Sequence, residues 1–329
     1  MTIDDVRRQM NAMGRSHSPF VVLIDFELNR PTVTPLGECS TRGLFFSVPN
    51  GECLPPPAPP APAFALEARP PDAAVYRKAF DAVQRHLFEG NSFLVNLTFP
   101  TPIVTTWTLE QIFTHATAPY RILLRNDFTV FSPEPFVRLG DGRISTHPMK
   151  GTIDASLPQA EATLLSDAKE ADEHATVVDL LRNDLSMVAR NVRVERYRYV
   201  HPVTTHRGVL LQTSSDIAGD LPADFLGRLG DILFALLPAG SVTGAPKRRT
   251  VEIIREAEGG PRGFYTGVFG VFDGAVLDTC VLIRYIEQST GGLVFRSGGG
   301  ITHASDPVME YDEMIRKVYV PLVRDDLRP

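Results

Sequence analysis

The stretch VFGVFDGAVLDTCVLIR, residues 268–284, decides how the rest of the chain is read. Val268 to Phe272 and Ala275 to Arg284 are apolar, β-branched runs on either side of Asp273-Gly274. That pair favours the left-handed conformations of a type I′ turn and so predicts an antiparallel hairpin. The same signature recurs upstream: Arg121 to Leu124 and Phe128 to Phe131 flank Asn126-Asp127, and Phe136 to Leu139 and Arg143 to Thr146 flank Gly140-Asp141-Gly142. Helical spacing also comes in blocks. Val75 to Phe88 places Val75, Ala79, Val83 and Leu87 on one face before Gly90-Asn91 breaks it. Asp167 with Glu170 resembles a capping box, opening a helix to about Met187 with Ala171, Ala175, Val178 and Leu181 on its apolar face. Asp224 to Leu237 and Lys247 to Ala257 read as further helices, and Asp306 with Pro307 starts a last one reaching about Leu322. With no strand–helix–strand alternation, the expected fold is α+β, mostly antiparallel sheets forming a sandwich-like core flanked by helices.

Phe20 to Phe26 reads as a buried strand near the start of that core, and Phe93 to Phe99, Asn191 to Val200 and Leu293 to Arg296 as further strands. Leu54 to Pro62 carries six prolines, so it neither continues a helix nor sits inside a sheet, and a polyproline-type surface connector is expected. Residues 1–70, the N-terminal strand region and this connector, are expected to belong to the same domain as a catalytic region over 71–329.

Bulk composition excludes several classes. Of 329 residues, 43% are hydrophobic and 22% charged, ordinary for a globular protein with a large core. The net charge of -6 comes without a long basic block, so no nucleic acid partner is expected. Cys39, Cys53 and Cys280 show no paired spacing for a disulfide frame or a zinc site. Met1 to Ser18 lacks an apolar signal core and Phe20 to Phe26 is too short to span a bilayer, so the expectation is a cytoplasmic protein with no membrane partner.

Two acidic pairs carry the first chemical signal. Glu170 and Glu173 lie three apart on one predicted helix, Glu310 and Glu313 three apart on another, so each pair projects from one face. At ~4 Å and an effective dielectric of ~20, like charges cost about 4 kcal/mol, so convergence of the four requires a cation or a proton. Hard oxygen ligands suit magnesium, which leaves room for substrate oxygens. Taken alone, each pair is more often a solvated helix face, and Arg316 and Lys317 serve an ordinary salt-bridged helix equally well. Lys150, in THPMKGT, follows a predicted strand and precedes a glycine, where its amine can face a cavity or simply the surface. Glu134, in SPE, ends another strand; half-buried, it keeps a proton near neutral pH and serves as an acid, or else it is a loop residue. GSVTGAPK, residues 240–247, leads into a helix whose N-terminus suits a carboxylate, and Gly298-Gly299-Gly300 permits close backbone approach to a ligand or forms a plain turn.

Together and in this order, these segments resemble the chorismate-using family that includes the large subunits of anthranilate and aminodeoxychorismate synthases and the isochorismate and salicylate synthases. The likeness runs from about Tyr76 to Arg324 through GNSFLVNL, SPE, PMKGT, KEADEHATVVDLLRNDL, GSVTGAPK, FYTGVFG, DTCVLIR, SGGGI and EYDEMIRKV. It implies a single large domain of that family's type. It also implies a magnesium site at Glu173 and Glu313, with Glu170 and Glu310 assisting through water, and Glu134 as the acid that protonates the departing ring hydroxyl. Arg284, Tyr265, Thr243, Lys247, Gly151, Thr152 and the backbone of Gly298, Gly299 and Gly300 fall where relatives hold the substrate's carboxylates. His201, in YVHPVTT, matches an active-site histidine, with Pro202 in place of the usual leucine.

Two positions divide that family. PMKGT resembles the PIKGT of aminodeoxychorismate synthases, with Lys150 at their lysine, whereas anthranilate synthases place alanine there. Leu94 stands where the water-adding enzymes use a lysine base; aminodeoxychorismate synthases often have glutamine, so Leu94 is a departure. The resemblance therefore implies conversion of chorismate and ammonia to 4-amino-4-deoxychorismate through a covalent Lys150 intermediate, toward p-aminobenzoate and folate. No cysteine lies in a glutaminase motif, so a glutamine amidotransferase subunit is the implied ammonia source. No tryptophan-effector motif is seen, and tryptophan inhibition is not expected. The alternatives are an anthranilate synthase large subunit and a non-catalytic chorismate-binding paralogue.

Overall fold

The computed structural model describes residues 1–57, 60–205 and 208–322; two residues of the proline-rich connector, 58 and 59, and the end of the family likeness beyond 322 lie outside them. Helix α1 (Ile3–Arg15) opens the chain, with Thr2 and Asp5 exchanging hydrogen bonds in a capping box. From the sequence alone, no element is predicted over this charged segment. It is a helix because Val6, Met10 and Gly14 recur at intervals of four and bury one narrow stripe. Strands β1 (Phe20–Ile24), β2 (Thr32–Pro35), β3 (Leu44–Val48), β4 (Gly51–Cys53) and β5 (Leu66–Ala68) follow. Helix α2 (Ala73–Phe88) leads into the long β6 (Leu94–Thr105), then come α3 (Leu109–His115), β7 (Tyr120–Leu124), β8 (Phe128–Ser132), β9 (Pro135–Gly140) and β10 (Arg143–Thr146). Next are β11 (Met149–Asp154), α4 (Ala160–Ser166), α5 (Ala168–Ser186) and a long hairpin of β12 (Arg190–Thr205) and β13 (Gly208–Asp220). The C-terminal third holds α6 (Leu229–Leu236), β14 (Gly244–Ala245), α7 (Lys247–Glu258), β15 (Val268–Phe272), β16 (Leu277–Val281), β17 (Tyr285–Ser289), β18 (Gly292–Ile301) and α8 (Pro307–Arg316).

The strands form two antiparallel sheets, in agreement with the expected class. The first has the order β11-β13-β10-β9-β16-β15-β1-β2, with β12 also on β13; the second runs β14-β6-β18-β17-β8-β7-β3-β4, with β5 also on β6. Strand β1 is buried on both faces and shows why they stack. Val21 and Leu23 meet Phe46, Ile122, Phe128 and Val130 of the second sheet, while Phe20, Val22 and Ile24 face the opposite way, toward α1 and α6. Helices α2, α7 and α8 cover β6 and β18 on the far side. The result is four layers, helix, sheet, sheet, helix. The first 70 residues supply β1 and β2 to one sheet and β3, β4 and β5 to the other.

Local details depart from the sequence expectations in three places. The Gly140-Asp141-Gly142 hairpin is the one with true I′ character, with positive φ at Asp141 and Gly142 and Gly140 paired to Arg143. At 273–276 the turn is wider, because the Asp273 carboxylate accepts from the backbone N–H groups of Ala275 and Val276 and the strands close at Phe272 and Leu277. On α2, Val75 points to solvent, and the buried face is Tyr76, Ala79, Phe80, Val83 and Leu87. Among the described residues one segment, Phe225–Val242, is long and apolar enough by composition to cross a membrane; half of it is buried, and α6 within it packs against α1.

Candidate active site

A cavity of about 480 Å³ is walled by residues of both sheets and of α5 and α8. Lys150, Gly151 and Thr152 enter it from β11, Asn96 from β6, Gly298, Gly299 and Gly300 from β18, Glu170 and Glu173 from α5, and Glu310, Glu313 and Lys317 from α8 and its end; Glu134, Tyr265 and Arg284 complete the wall. Most of the residues singled out in the sequence are thus brought together.

Glu134 and Arg284 sit where the chain passes from one sheet to the other. β8 belongs to the second sheet and β9 to the first, and Pro133 and Pro135 mark the passage because neither can donate to a ladder. β16 belongs to the first sheet and β17 to the second, with Arg284 in a left-handed conformation at the bend. The two crossings are laced together: Val281 N–H donates to the Glu134 carbonyl at 3.1 Å, and Phe131 N–H to the Arg284 carbonyl at 3.1 Å. Burial pushes the Glu134 carboxyl above its usual range, against the opposing pull of a 2.5 Å hydrogen bond from Ser241 and the charges of Lys150, Arg284 and Lys317. The shift favours the protonated form. Tyr265 is buried, which pushes its hydroxyl up to about 12 and keeps it a neutral donor.

The two acidic helices converge, each met by a lysine. Lys150 Nζ lies 3.2 Å from Glu173 Oε2, and Lys317 Nζ 2.6 Å from Glu313 Oε1. Lys317 also donates to the Gly298 carbonyl at 2.9 Å. Burial, with the charges of Arg284 and Lys150, pulls its ammonium below the usual lysine range despite the Glu313 pair. Helix α5 is anchored by Asp167, which accepts from Glu170 N–H, and by His174, which shares a 2.6 Å hydrogen bond with Ser215 Oγ. Burial pulls His174 down to about 4, so it is a neutral strut beside Glu173. Among the described residues no three His, Cys, Asp or Glu side chains already form a metal shell. The donor set nevertheless suits a hard divalent ion: four carboxylates line one cavity, and Gly299 lies against two of them, a Cβ there standing 3.5 Å from Glu310 Oε2 and 3.8 Å from Glu313 Oε1.

The glycine run is not a turn. Gly298, Gly299 and Gly300 continue β18, paired with Thr98, Leu97 and Asn96. A Cβ at Gly298 would meet the Leu97 carbonyl oxygen at 2.3 Å, so a side chain is excluded by the neighbouring strand itself. At Gly300 a Cβ would lie 3.0 Å from Leu94 Cδ1, so the strand passes close to that side chain here. Gly151 has a positive φ at a register shift between Lys150 and Thr152, where a Cβ would press on Glu170 Oε2 at 3.2 Å.

Three expected site residues are placed elsewhere. Lys247 forms an ion pair with Asp184 at 2.9 Å and donates to the Leu236 carbonyl at 2.8 Å, pinning the start of α7 to α5 rather than facing the cavity. Thr243 is fully buried and donates to the Ala239 carbonyl at 2.6 Å. Of the 240–247 stretch, Ser241 and Val242 line the cavity, while Gly244 and Ala245 pair with β6. His201 lies on β12 opposite Gln212; it is Gln212 that reaches the cavity, and His201 packs near Tyr199. Lys317 and Ser241 are the residues missed. Lys317 was detectable, since 310, 313 and 317 are spaced three and four apart and share one helix face.

Comparison with known proteins agrees with this geometry. The profile of the chorismate binding enzymes matches residues 44–323. An uncharacterised PabA-like protein of Pasteurella multocida is 50% identical over 98% of this chain and 100% of its own length. Another, from Haemophilus influenzae, is 46% identical over 98% of each. An aminodeoxychorismate synthase of Streptomyces griseus is 34% identical over 82% of this chain, which spans 39% of that longer protein. Among solved structures, the menaquinone-specific isochorismate synthase of Escherichia coli superposes with a TM-score of 0.73 at 16% identity, covering 96% of this chain and 81% of that one. Anthranilate synthase component I of Streptococcus pneumoniae does so with 0.66 at 26% identity, covering 83% and 62%. The cavity and the profile match coincide, and the chain belongs to the chorismate binding enzyme family.

Proposed function

We propose that the protein is an aminodeoxychorismate synthase large subunit, replacing the carbon 4 hydroxyl of chorismate with the nitrogen of ammonia. The observation that supports this reading is Lys150 on the same cavity as Glu134, close enough for its charge to act on the Glu134 carboxyl. Leu94 is an apolar side chain and cannot activate water as a competing nucleophile.

Lys150 attacks only as the neutral amine. Its neutral Nζ adds to carbon 2, the two ring double bonds shift, and the carbon 4 hydroxyl departs as water with the proton of Glu134. Ammonia then adds to carbon 4, the double bonds shift back, and the carbon 2–nitrogen bond breaks to return the Lys150 amine. Arg284 and Lys317 supply the positive charge that offsets the acidic wall when a dianionic substrate enters. Magnesium held by Glu173 and Glu313, with Glu170 and Glu310 assisting, would add Lewis-acid polarisation of the ring carboxylate. Nitrogen would come from a glutamine amidotransferase partner or from free ammonium.

The test is product identity. The chain is incubated with chorismate, magnesium and an ammonium salt, and the product is identified by mass before and after adding an aminodeoxychorismate lyase. Loss of one oxygen with gain of one nitrogen, followed by release of p-aminobenzoate, is the expected result. Fluorescent o-aminobenzoate without lyase would replace this reading with an anthranilate synthase, and binding without turnover would leave a non-catalytic paralogue.

A further inference from the structure

The proposed chemistry does not use a cluster at the cavity's edge. His147, two residues before β11, lines the cavity, yet 43% of its side chain is open to solvent, so it stands at the mouth. Its Nδ1–H donates to Asp216 Oδ1 at 2.8 Å, and the Tyr199 hydroxyl donates to the same oxygen at 2.8 Å. Arg196 stacks on Tyr199 at 3.6 Å and brings its guanidinium to 3.8 Å from Asp216 Oδ2. Burial raises the Asp216 carboxyl, but the hydrogen bonds from His147 and Tyr199 and the charges of His147 and Arg196 outweigh it and hold the group ionised. Asp278 on β16 and Arg138 on β9, paired across those strands, complete the ionisable surroundings.

With Nδ1 committed to a carboxylate, Nε2 is the ring nitrogen that carries the lone pair. We infer that His147, oriented by Asp216, is a proton acceptor at the cavity mouth that converts an incoming ammonium ion to ammonia. Ammonium gives one proton to Nε2, and the N–H bonding pair stays on nitrogen as the lone pair that attacks carbon 4. The imidazolium then returns its proton to solvent through its exposed edge. This role rests on the amination proposed above, whose outcome is read separately.

The experiment measures kcat/KM for ammonium as a function of pH in the wild type, His147→Gln and Asp216→Asn. Near neutral pH, His147→Gln should lose about 10²-fold and Asp216→Asn about tenfold, with the KM for chorismate unchanged. The deficit should shrink as pH rises through ammonium's own pKa, where free ammonia needs no base. A deficit that is the same at every pH, a shifted chorismate KM, or no deficit near neutrality would overturn the role. A wild type that transforms chorismate without taking up nitrogen would remove both amination and this role, whereas amination with unaltered variants would remove this role alone.

Discussion

Helix α5 offers Glu173 to Lys150, and α8 offers Glu313 to Lys317, yet the two lysines are seated differently. Lys317 is four residues from its partner on the same helix end and has a second acceptor in the Gly298 carbonyl, so the pair moves as one body with α8. Lys150 reaches Glu173 from another element, on a strand interrupted at Gly151, and its 3.2 Å contact depends on how β11 sits against α5. In the proposed reaction, charge that stays put is built into one helix, and charge that moves is built across two elements.

Lys150→Ala against Lys317→Met is the strongest way to break this contrast. The first should lower amination by on the order of 10³-fold or more. The second should leave kcat nearly intact and raise the KM for chorismate about tenfold, as loss of one charged hydrogen bond predicts. Equal losses of kcat would show that both lysines act in the chemistry.

Glu134→Gln should lower kcat by about 10²–10⁴-fold, and it adds a stability readout. Because the folded carboxyl lies above its unfolded value, the favourable contribution of Glu134 is complete below the unfolded pKa and is lost as pH rises through the folded one. The variant's Tm relative to wild type should therefore improve from acidic to alkaline buffer; a constant difference would contradict the upward shift.

Lys247→Met sharpens the comparison with a lysine away from the cavity. Removing the partner of buried Asp184 should cost about 3 kcal/mol in denaturant unfolding, with the chorismate KM unaltered for the molecules that remain folded. Gly298→Ala should give the smallest effect, about 2 kcal/mol of stability from overpacking against the Leu97 carbonyl.

Legibility in the sequence followed the range of the interaction. Asp141 and Gly142 carry their own turn preference, and the β9–β10 hairpin was readable from them. Asp273 misled because its carboxylate bonds to residues two and three further on and widens the loop, a choice the dipeptide alone does not reveal. Lys247 came to the substrate by resemblance, and its pairing with Asp184, 63 residues away, is recorded in no local pattern. The glycine run read as either a close approach to a ligand or a turn, because what excludes a side chain at Gly298 is the Leu97 carbonyl of a strand distant in sequence. Helix α1 was missed because its buried stripe is only three residues wide amid charges. The cavity lining was more legible than the fold details, since family-like segments supply much of it, but resemblance alone put Thr243, Lys247 and His201 in a cavity they do not line.

The paired crossings at Glu134 and Arg284 bear on how the molecule opens. A ligand gripping both would tie together two places where a strand leaves one sheet for the other, so amides on β8 and β16, one in each sheet, should slow their hydrogen exchange together when chorismate is bound. The grip that orients the substrate would thereby make two layers breathe as one.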